Sequence, residues 1–203
     1  LIPTKEFYII PILLNLNLII YILMVLFGLG FISFDTSDLF RLGGVERNAV
    51  LSGDWWRLFT AMFLHGGLMH IVSNLFTLFF IGLFAESILG VKRFTVVYIL
   101  SGLGCSIASI YWHDNTVSVG ASGAIFGLFG AVIALNLMKS ISKKIDLSFL
   151  IMSSIFIGYN LLMGLFTNSD NAGHLGGLFT GFIIGIVISS IVKNEQVDKN
   201  NNK

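Results

Sequence analysis

The chain has 203 residues, of which 55% are hydrophobic and only 11% charged, and its formal net charge is +1 at pH 7. A soluble domain carries roughly 25% charged residues to cover its surface, so this composition excludes a disordered chain and a secreted soluble domain. The near-neutral charge excludes a nucleic-acid-binding protein, and the single cysteine, Cys105, excludes an internal disulfide and a thiolate metal cage. The composition predicts a membrane protein.

Six apolar stretches are long enough to cross a hydrocarbon core of roughly 30 Å. Each is predicted to be a helix, because an open strand would leave backbone polar groups unpaired in lipid. In chain order the predicted spans are 7–31, 66–85, 94–112, 117–138, 147–167 and 172–192. We therefore predict an all-α membrane protein, a bundle of six transmembrane helices over residues 1–193, followed by a polar tail, 194–203, that we expect to be disordered.

The distribution of basic residues predicts the orientation of this bundle. Nine of the 12 lysines and arginines fall at the start of the chain, in the second and fourth connections, and at the end. Arg41, Arg47 and Arg57 fall on the opposite side. We therefore expect both termini in the cytoplasm, with spans two, four and six beginning at the outer face.

The long connection between spans one and two, residues 32–65, is too apolar for a water-exposed loop. It mixes large hydrophobic residues with four acids and three arginines. We expect a partly helical, membrane-embedded outer loop, with Trp55 and Trp56 at the level of the lipid headgroups.

Polar side chains inside a bilayer are costly and indicate function. His70 and Asn74 in span two, Ser122 in span four and His174 in span six all lie within about two turns of the predicted outer end of their helix. Three segments that are distant in sequence thus bring polar groups to one depth.

Small residues predict which spans are in contact. Span six has small residues every four positions, and span four does the same; these two ridges are Gly173, Gly177, Gly181 and Gly185, and Gly123, Gly127 and Ala131. Such ridges let helix backbones approach closely in lipid. Packed in parallel, they would bring Ser122 and His174 within hydrogen-bond reach, about 2.6–3.2 Å, as a nucleophile and a base.

The residues around Ser122 fit the same chemistry. Gly120 and Gly123 permit a tight turn and a close approach of substrate, and the free N–H groups of a first helical turn favour developing negative charge. His70 and Asn74, four residues apart, share one helix face and can donate hydrogen bonds to the same oxyanion.

Four motifs stand in this order along the chain: Trp56-Arg57, His65-x4-His70-x3-Asn74, Gly120-x-Ser122-Gly123 and Gly173-His174-x2-Gly177-x3-Gly181. Over about residues 55–185 the chain resembles the rhomboid family of intramembrane serine proteases. The resemblance implies an endopeptidase that cleaves in or near the transmembrane segments of single-span membrane proteins, without a cofactor, in a bacterial cell membrane.

The resemblance also implies roles for individual residues. Ser122 and His174 would form a catalytic dyad without an acidic third member, and the Ser122 N–H, His70 and Asn74 would form the oxyanion site. Trp56 and Arg57 would belong to the structural outer loop. Phe126 would stack on His174, and span five would be the family's hinge-like helix.

Other interpretations are weaker. A catalytically silent relative that binds transmembrane helices would be expected to lack Ser122 or His174. A transporter or channel would have repeated or broken spans and an ionisable residue at the midplane, and the sequence indicates neither. A metal site is not expected, since the HExxH spacing is absent. Asp170, four residues before His174, is predicted to cap span six rather than to act in catalysis.

Overall fold

A computed structural model describes residues 2–4, 7–139, 146–167 and 169–201, with side chains described as far as residue 192. Four of the lysines that predict the orientation lie outside the described residues: Lys5, Lys143, Lys144 and Lys203.

The described part of the chain is helical, apart from turns and two isolated β-bridges. The helices are α1 (Ile9–Leu26), α2 (Thr36–Leu42), α3 (Arg47–Leu51), α4 (Arg57–Thr60), α5 (Leu68–Trp112), α6 (Ser122–Leu137), α7 (Leu147–Gly164) and α8 (Asn171–Asn201), and a 3-10 turn, Ala61–Phe63, follows α4. By length and composition, α1, α5, α7 and residues Asn171–Val192 of α8 can each cross a membrane. The apolar helix α6 is shorter.

Helix α5 contains both the second and the third predicted span. Gly90 has a φ of 69° and a ψ of 168°, which interrupts the helix between residues 68–89 and 91–112. This left-handed φ is accessible to glycine at little cost. The connection that the sequence predicts between these spans is therefore a one-residue break rather than a loop.

Helix α6 lies at the centre of the bundle. Twelve of its residues are buried, and it packs against α5 and α8. Helix α7, by contrast, has one buried residue among those described, Ser153. The helix that carries Ser122 is thus enclosed by its neighbours, whereas α7 is loosely held at the periphery.

The predicted contact between the two small-residue ridges is present. The register pairs Gly177 with Gly123, Gly181 with Gly127 and Gly185 with Ala131. A methyl group at Gly181 would lie 2.0 Å from the carbonyl oxygen of Gly127, so the two backbones are in direct contact. Because the register increases along both chains, α6 and α8 run in parallel.

The connection between α1 and α5 is partly helical, as predicted, and is organised around one arginine. Arg57 is 6% exposed and donates hydrogen bonds to the Asp54 carboxylate at 2.8 Å and to the carbonyl oxygens of Phe40 and Gly44. Its guanidinium also lies over the rings of Phe40 and Trp56. These contacts tie successive turns of the connection together.

Residues 117–121, predicted as the start of span four, are not helical. Ser118 and Val45 exchange backbone hydrogen bonds of 2.9 and 3.0 Å, and the Gly120 N–H donates to the Ala61 carbonyl at 2.9 Å. Gly120 has a φ of 128°, which is incompatible with a right-handed helix. The helix therefore begins at Ser122.

Within the predicted tail, helix α8 continues to Asn201. The segment after Val192 contains no proline or glycine to end the helix. Its lysine, glutamate and glutamine residues have high helix propensity.

Glu86 is a buried cap for α1, a role that the sequence analysis does not predict. Its carboxylate accepts hydrogen bonds from the backbone N–H groups of Tyr8, Ile9 and Ile10 at 2.8, 2.7 and 3.0 Å. These donors have no carbonyl partner within their own helix, so Glu86 joins the start of α1 to α5.

We expect Glu86→Ala to lower the free energy of unfolding by about 1–3 kcal/mol, because it leaves backbone donors unpaired where water is scarce. The measurement is equilibrium unfolding in mixed detergent micelles. Glu46→Ala is the matched control. Glu46 caps α3 through two hydrogen bonds that are more exposed to solvent than those of Glu86, so this substitution should lower the free energy of unfolding by less. Equal losses would contradict the role assigned to Glu86.

Candidate active site

Ser122 and His174 are in direct contact. Ser122 is the first residue of α6 and His174 lies in the first turn of α8. The Nε2 atom of His174 is 2.9 Å from Ser122 Oγ, and His174 is 6% exposed. A hydroxyl at this distance from an imidazole nitrogen has the geometry of a nucleophile with its base.

Asp170 caps the helix that carries His174, as predicted. Its Oδ1 atom accepts a hydrogen bond from the Gly173 N–H at 2.7 Å. The His174 N–H donates to the Asp170 backbone carbonyl at 2.9 Å. The first turn of α8 is therefore held by one residue at its N-terminus.

Phe126 stacks on the imidazole, as the resemblance implies. The ring centroids of Phe126 and His174 are 4.5 Å apart and the planes differ by 6°. This stacking restricts rotation of the His174 ring. The Nδ1 atom of His174 is buried and has no hydrogen-bond partner among the described residues, so no described carboxylate contacts the imidazole there.

His70 and Asn74 lie beside the turn that precedes Ser122. The Gly66 N–H donates to His70 Nδ1 at 3.2 Å, so a neutral His70 carries its proton on Nε2. A methyl group at Gly120 would lie 2.7 Å from His70 Nε2 and 3.7 Å from Asn74 Nδ2. Both side chains thus place a donor next to the backbone that leads into Ser122.

Asn74 Nδ2 also donates to the His70 carbonyl, one turn earlier, at 3.1 Å. This bond uses one of the two amide protons and leaves the other for a ligand. The Ser122 N–H is a third donor, since the first residue of a helix has no carbonyl partner one turn earlier. Three donors of different chemical type therefore lie beside the turn that begins α6.

His65 is a buried neighbour of this group. Its ring meets the His70 ring edge-on, with centroids 5.2 Å apart. Burial lowers the pKa of His65 to about 3, so the ring is uncharged at neutral pH. His65 therefore packs behind His70.

One cavity of about 160 Å³ joins these residues; its lining includes His70, Asn74, Ser122, Phe126 and His174. Asn160 of α7 and Ser169, neither of them predicted from the sequence, also line it. Asn160 could have been identified from the sequence as a polar residue within an apolar span. Among the described residues, His, Cys, Asp and Glu side chains form no cluster of three that could hold a metal ion.

Comparison with known proteins places the chain among named rhomboids. Residues 52–191 match the family model described as the Rhomboid domain. The chain is 38% identical over 159 residues to RHOMBOID-like protein 6, mitochondrial, of Arabidopsis thaliana, a match that covers 78% of this chain and 52% of that protein. The chain thus spans about half the length of this curated relative.

Two bacterial relatives carry protease names. The chain is 36% identical over 152 residues to Rhomboid protease GluP of Bacillus subtilis, covering 74% of this chain and 29% of that protein. It is 32% identical over 200 residues to Rhomboid protease AarA of Providencia stuartii, covering 86% of this chain and 70% of that protein.

We expect Gly120→Ala to reduce the reactivity of Ser122 toward a fluorophosphonate probe by about tenfold or more, because the methyl group displaces His70 and the turn before Ser122. The control is Gly53→Ala. Gly53 also has a positive φ, 118°, but nothing lies within 4 Å of a methyl group there.

Both variants carry backbone strain of about 1–3 kcal/mol, and Gly120→Ala adds the clash with His70, so its thermal unfolding should shift at least as far as that of Gly53→Ala. Gly53→Ala should keep its labelling rate within about twofold of wild type. Equal labelling rates in the two variants would show that the space beside His70 is unimportant.

Proposed function

Because the chain belongs to the rhomboid family, we propose that it is a serine endopeptidase that hydrolyses peptide bonds in or near the transmembrane segments of other membrane proteins. The observation that carries the proposal is the 2.9 Å contact between His174 Nε2 and Ser122 Oγ. The two relatives named as proteases, GluP and AarA, support the same activity.

Ser122 is the proposed nucleophile and His174 the proposed base. As Ser122 Oγ attacks the scissile carbonyl carbon, His174 Nε2 accepts the hydroxyl proton. His174 then gives this proton to the leaving amine, and an ester with Ser122 remains. A water molecule then attacks the ester carbonyl as His174 accepts one of its protons. The bond between the acyl carbon and Ser122 Oγ breaks, and His174 returns that proton to Oγ, which releases the carboxyl product and restores the serine.

The Ser122 N–H, His70 Nε2–H and Asn74 Nδ2–H are the proposed donors to the tetrahedral oxyanion. The Gly66 bond that directs the His70 proton to Nε2 supports this role. Loss of one such donor typically costs about 10²–10³ in rate.

The substrate is proposed to enter between α7 and residues 68–89 of α5, the part of α5 before Gly90. A cavity of about 530 Å³ lies there, lined mainly by aromatic residues: Phe76, Phe80, Phe84, Phe129, Phe149 and Phe156. The weak packing of α7 supports its movement away from α5, because few buried contacts would be lost. A transmembrane segment that reached Ser122 by this path would have to unwind locally.

The proposal includes the membrane arrangement. Residues 1–193 would form the protease domain with six spans. Residues 68–89 and 91–112 of α5 would each be one of these spans, and α6 would cross the membrane as a short helix. The distribution of basic residues supports cytoplasmic termini. GluP and AarA come from bacteria, which supports a bacterial cell membrane, whereas RHOMBOID-like protein 6 is named as mitochondrial.

We expect a fluorophosphonate probe to label the detergent-solubilised wild-type protein on Ser122 and not to label Ser122→Ala. The labelling rate of His174→Ala should fall by about 10²–10⁴-fold, because the general base is lost. The measurement is in-gel fluorescence with mass spectrometry of the labelled peptide. Ser87→Ala is the control, since Ser87 bonds to its own helix, and it should label as wild type does.

Cleavage of fluorescently labelled casein, used as an unfolded protein substrate, should follow the same order among the four proteins. Equal labelling of all four would remove the protease proposal. Labelling of Ser122 without any cleavage of casein would favour a silent relative that binds transmembrane helices.

A further inference from the structure

The Asp170 carboxylate lies where three segments of the chain meet. Its Oδ2 atom accepts a hydrogen bond from Ser118 Oγ at 2.8 Å, in addition to the Gly173 bond on Oδ1. Ser118 Oγ in turn accepts a bond from Ser109 Oγ on α5 at 2.8 Å. His113 Nε2 is 3.3 Å from Oδ1. A helix cap alone would use one of these contacts.

Two of these contacts connect the segments that carry the proposed dyad. Gly173 directly precedes His174, and Ser118 lies four residues before Ser122 in the extended segment that leads into α6. Ser118 is itself held by both of its backbone bonds to Val45. The carboxylate is therefore a direct link between the start of α8 and the start of α6.

Among the described residues, no hydrogen bond joins the carboxylate to the imidazole. A cavity of about 30 Å³ has Ser118, Ser122, Asp170 and His174 in its lining, and His174 Nδ1 has no partner among the described residues. The hydrogen bonds of Asp170 can therefore affect the reaction through the position of the segments that they join.

We propose that Asp170 is a positioning residue that sets the contact between Ser122 and His174 by joining Ser118 to the first turn of α8. This inference rests on the function proposed above. An ionised carboxylate has two acceptor oxygens, one for each bond, whereas an amide offers only one oxygen. If asparagine keeps the helix cap on its oxygen, it presents an amide donor to Ser118, and the charge-assisted bond that the hydroxyl donates is lost.

The test compares Asp170→Asn and Ser118→Ala by the kinetics of labelling with the fluorophosphonate probe. Asp146→Asn is the matched control, because Asp146 caps α7 by accepting from the Ser148 N–H and is not part of the site. The maximal labelling rate should fall about tenfold in both test variants, as expected for loss of one charge-assisted hydrogen bond. The probe concentration that gives half this rate should stay within about twofold of wild type.

The double variant Asp170→Asn, Ser118→Ala provides a sharper criterion. Since both substitutions break the same bond, the double variant should label no more than about twofold slower than Asp170→Asn alone. If the labelling rate of the double variant instead falls by the product of the two single fold-losses, Asp170 and Ser118 act independently, and the proposal is overturned.

Two other outcomes would also overturn the proposal. One is a maximal labelling rate in both Asp170→Asn and Ser118→Ala that equals the maximal labelling rate of Asp146→Asn. The other is an equal loss of thermal stability and labelling in Asp170→Asn and Asp146→Asn, which would reduce Asp170 to an ordinary cap. Failure of the wild type to label would instead remove the proposed function, and with it any reaction for Asp170 to assist.

Discussion

The arrangement of the site depends on direct backbone contact between α6 and α8. In lipid the hydrophobic effect does not drive helices together, so close packing requires small residues along both contact faces. Gly181 lies against the carbonyl of Gly127, and the neighbouring pairs above and below it continue the same register. Ser122 and His174 stand at the end of these ridges, and their separation follows from the distance between the two helices.

Irregular backbone completes the site at that end of the bundle. Such backbone is tolerated near membrane-spanning helices only where its polar groups are paired. The Gly120 N–H is paired with the Ala61 carbonyl, and Ser118 is paired with Val45. The connection that supplies these partners is itself held by the buried Arg57. The segment before Ser122 is thereby held in an extended conformation beside His70.

Local patterns predicted much of this arrangement, and long-range hydrogen bonds account for the differences. Hydropathy predicted the apolar helices, and the glycine spacing predicted the contact that brings Ser122 to His174. Hydropathy also predicted a helix at residues 117–121, because these residues are apolar. Their backbone pairing with Val45 depends on a distant segment, so a local pattern does not indicate it. The bonds of the Glu86 carboxylate to the start of α1 and of the Asp170 carboxylate to Ser118 were harder still, since these partners lie on distant segments.

The most direct measurement of the central claim is the fluorophosphonate labelling rate of Gly181→Ala against that of Gly158→Ala. A methyl group at Gly181 meets the backbone of Gly127, whereas nothing lies within 4 Å of one at Gly158 on α7. Gly181→Ala should insert into the membrane but label at least about tenfold more slowly than wild type, whereas Gly158→Ala should label as wild type does. Equal labelling of both variants and wild type would show that the backbone contact between α6 and α8 does not set the position of Ser122 and His174.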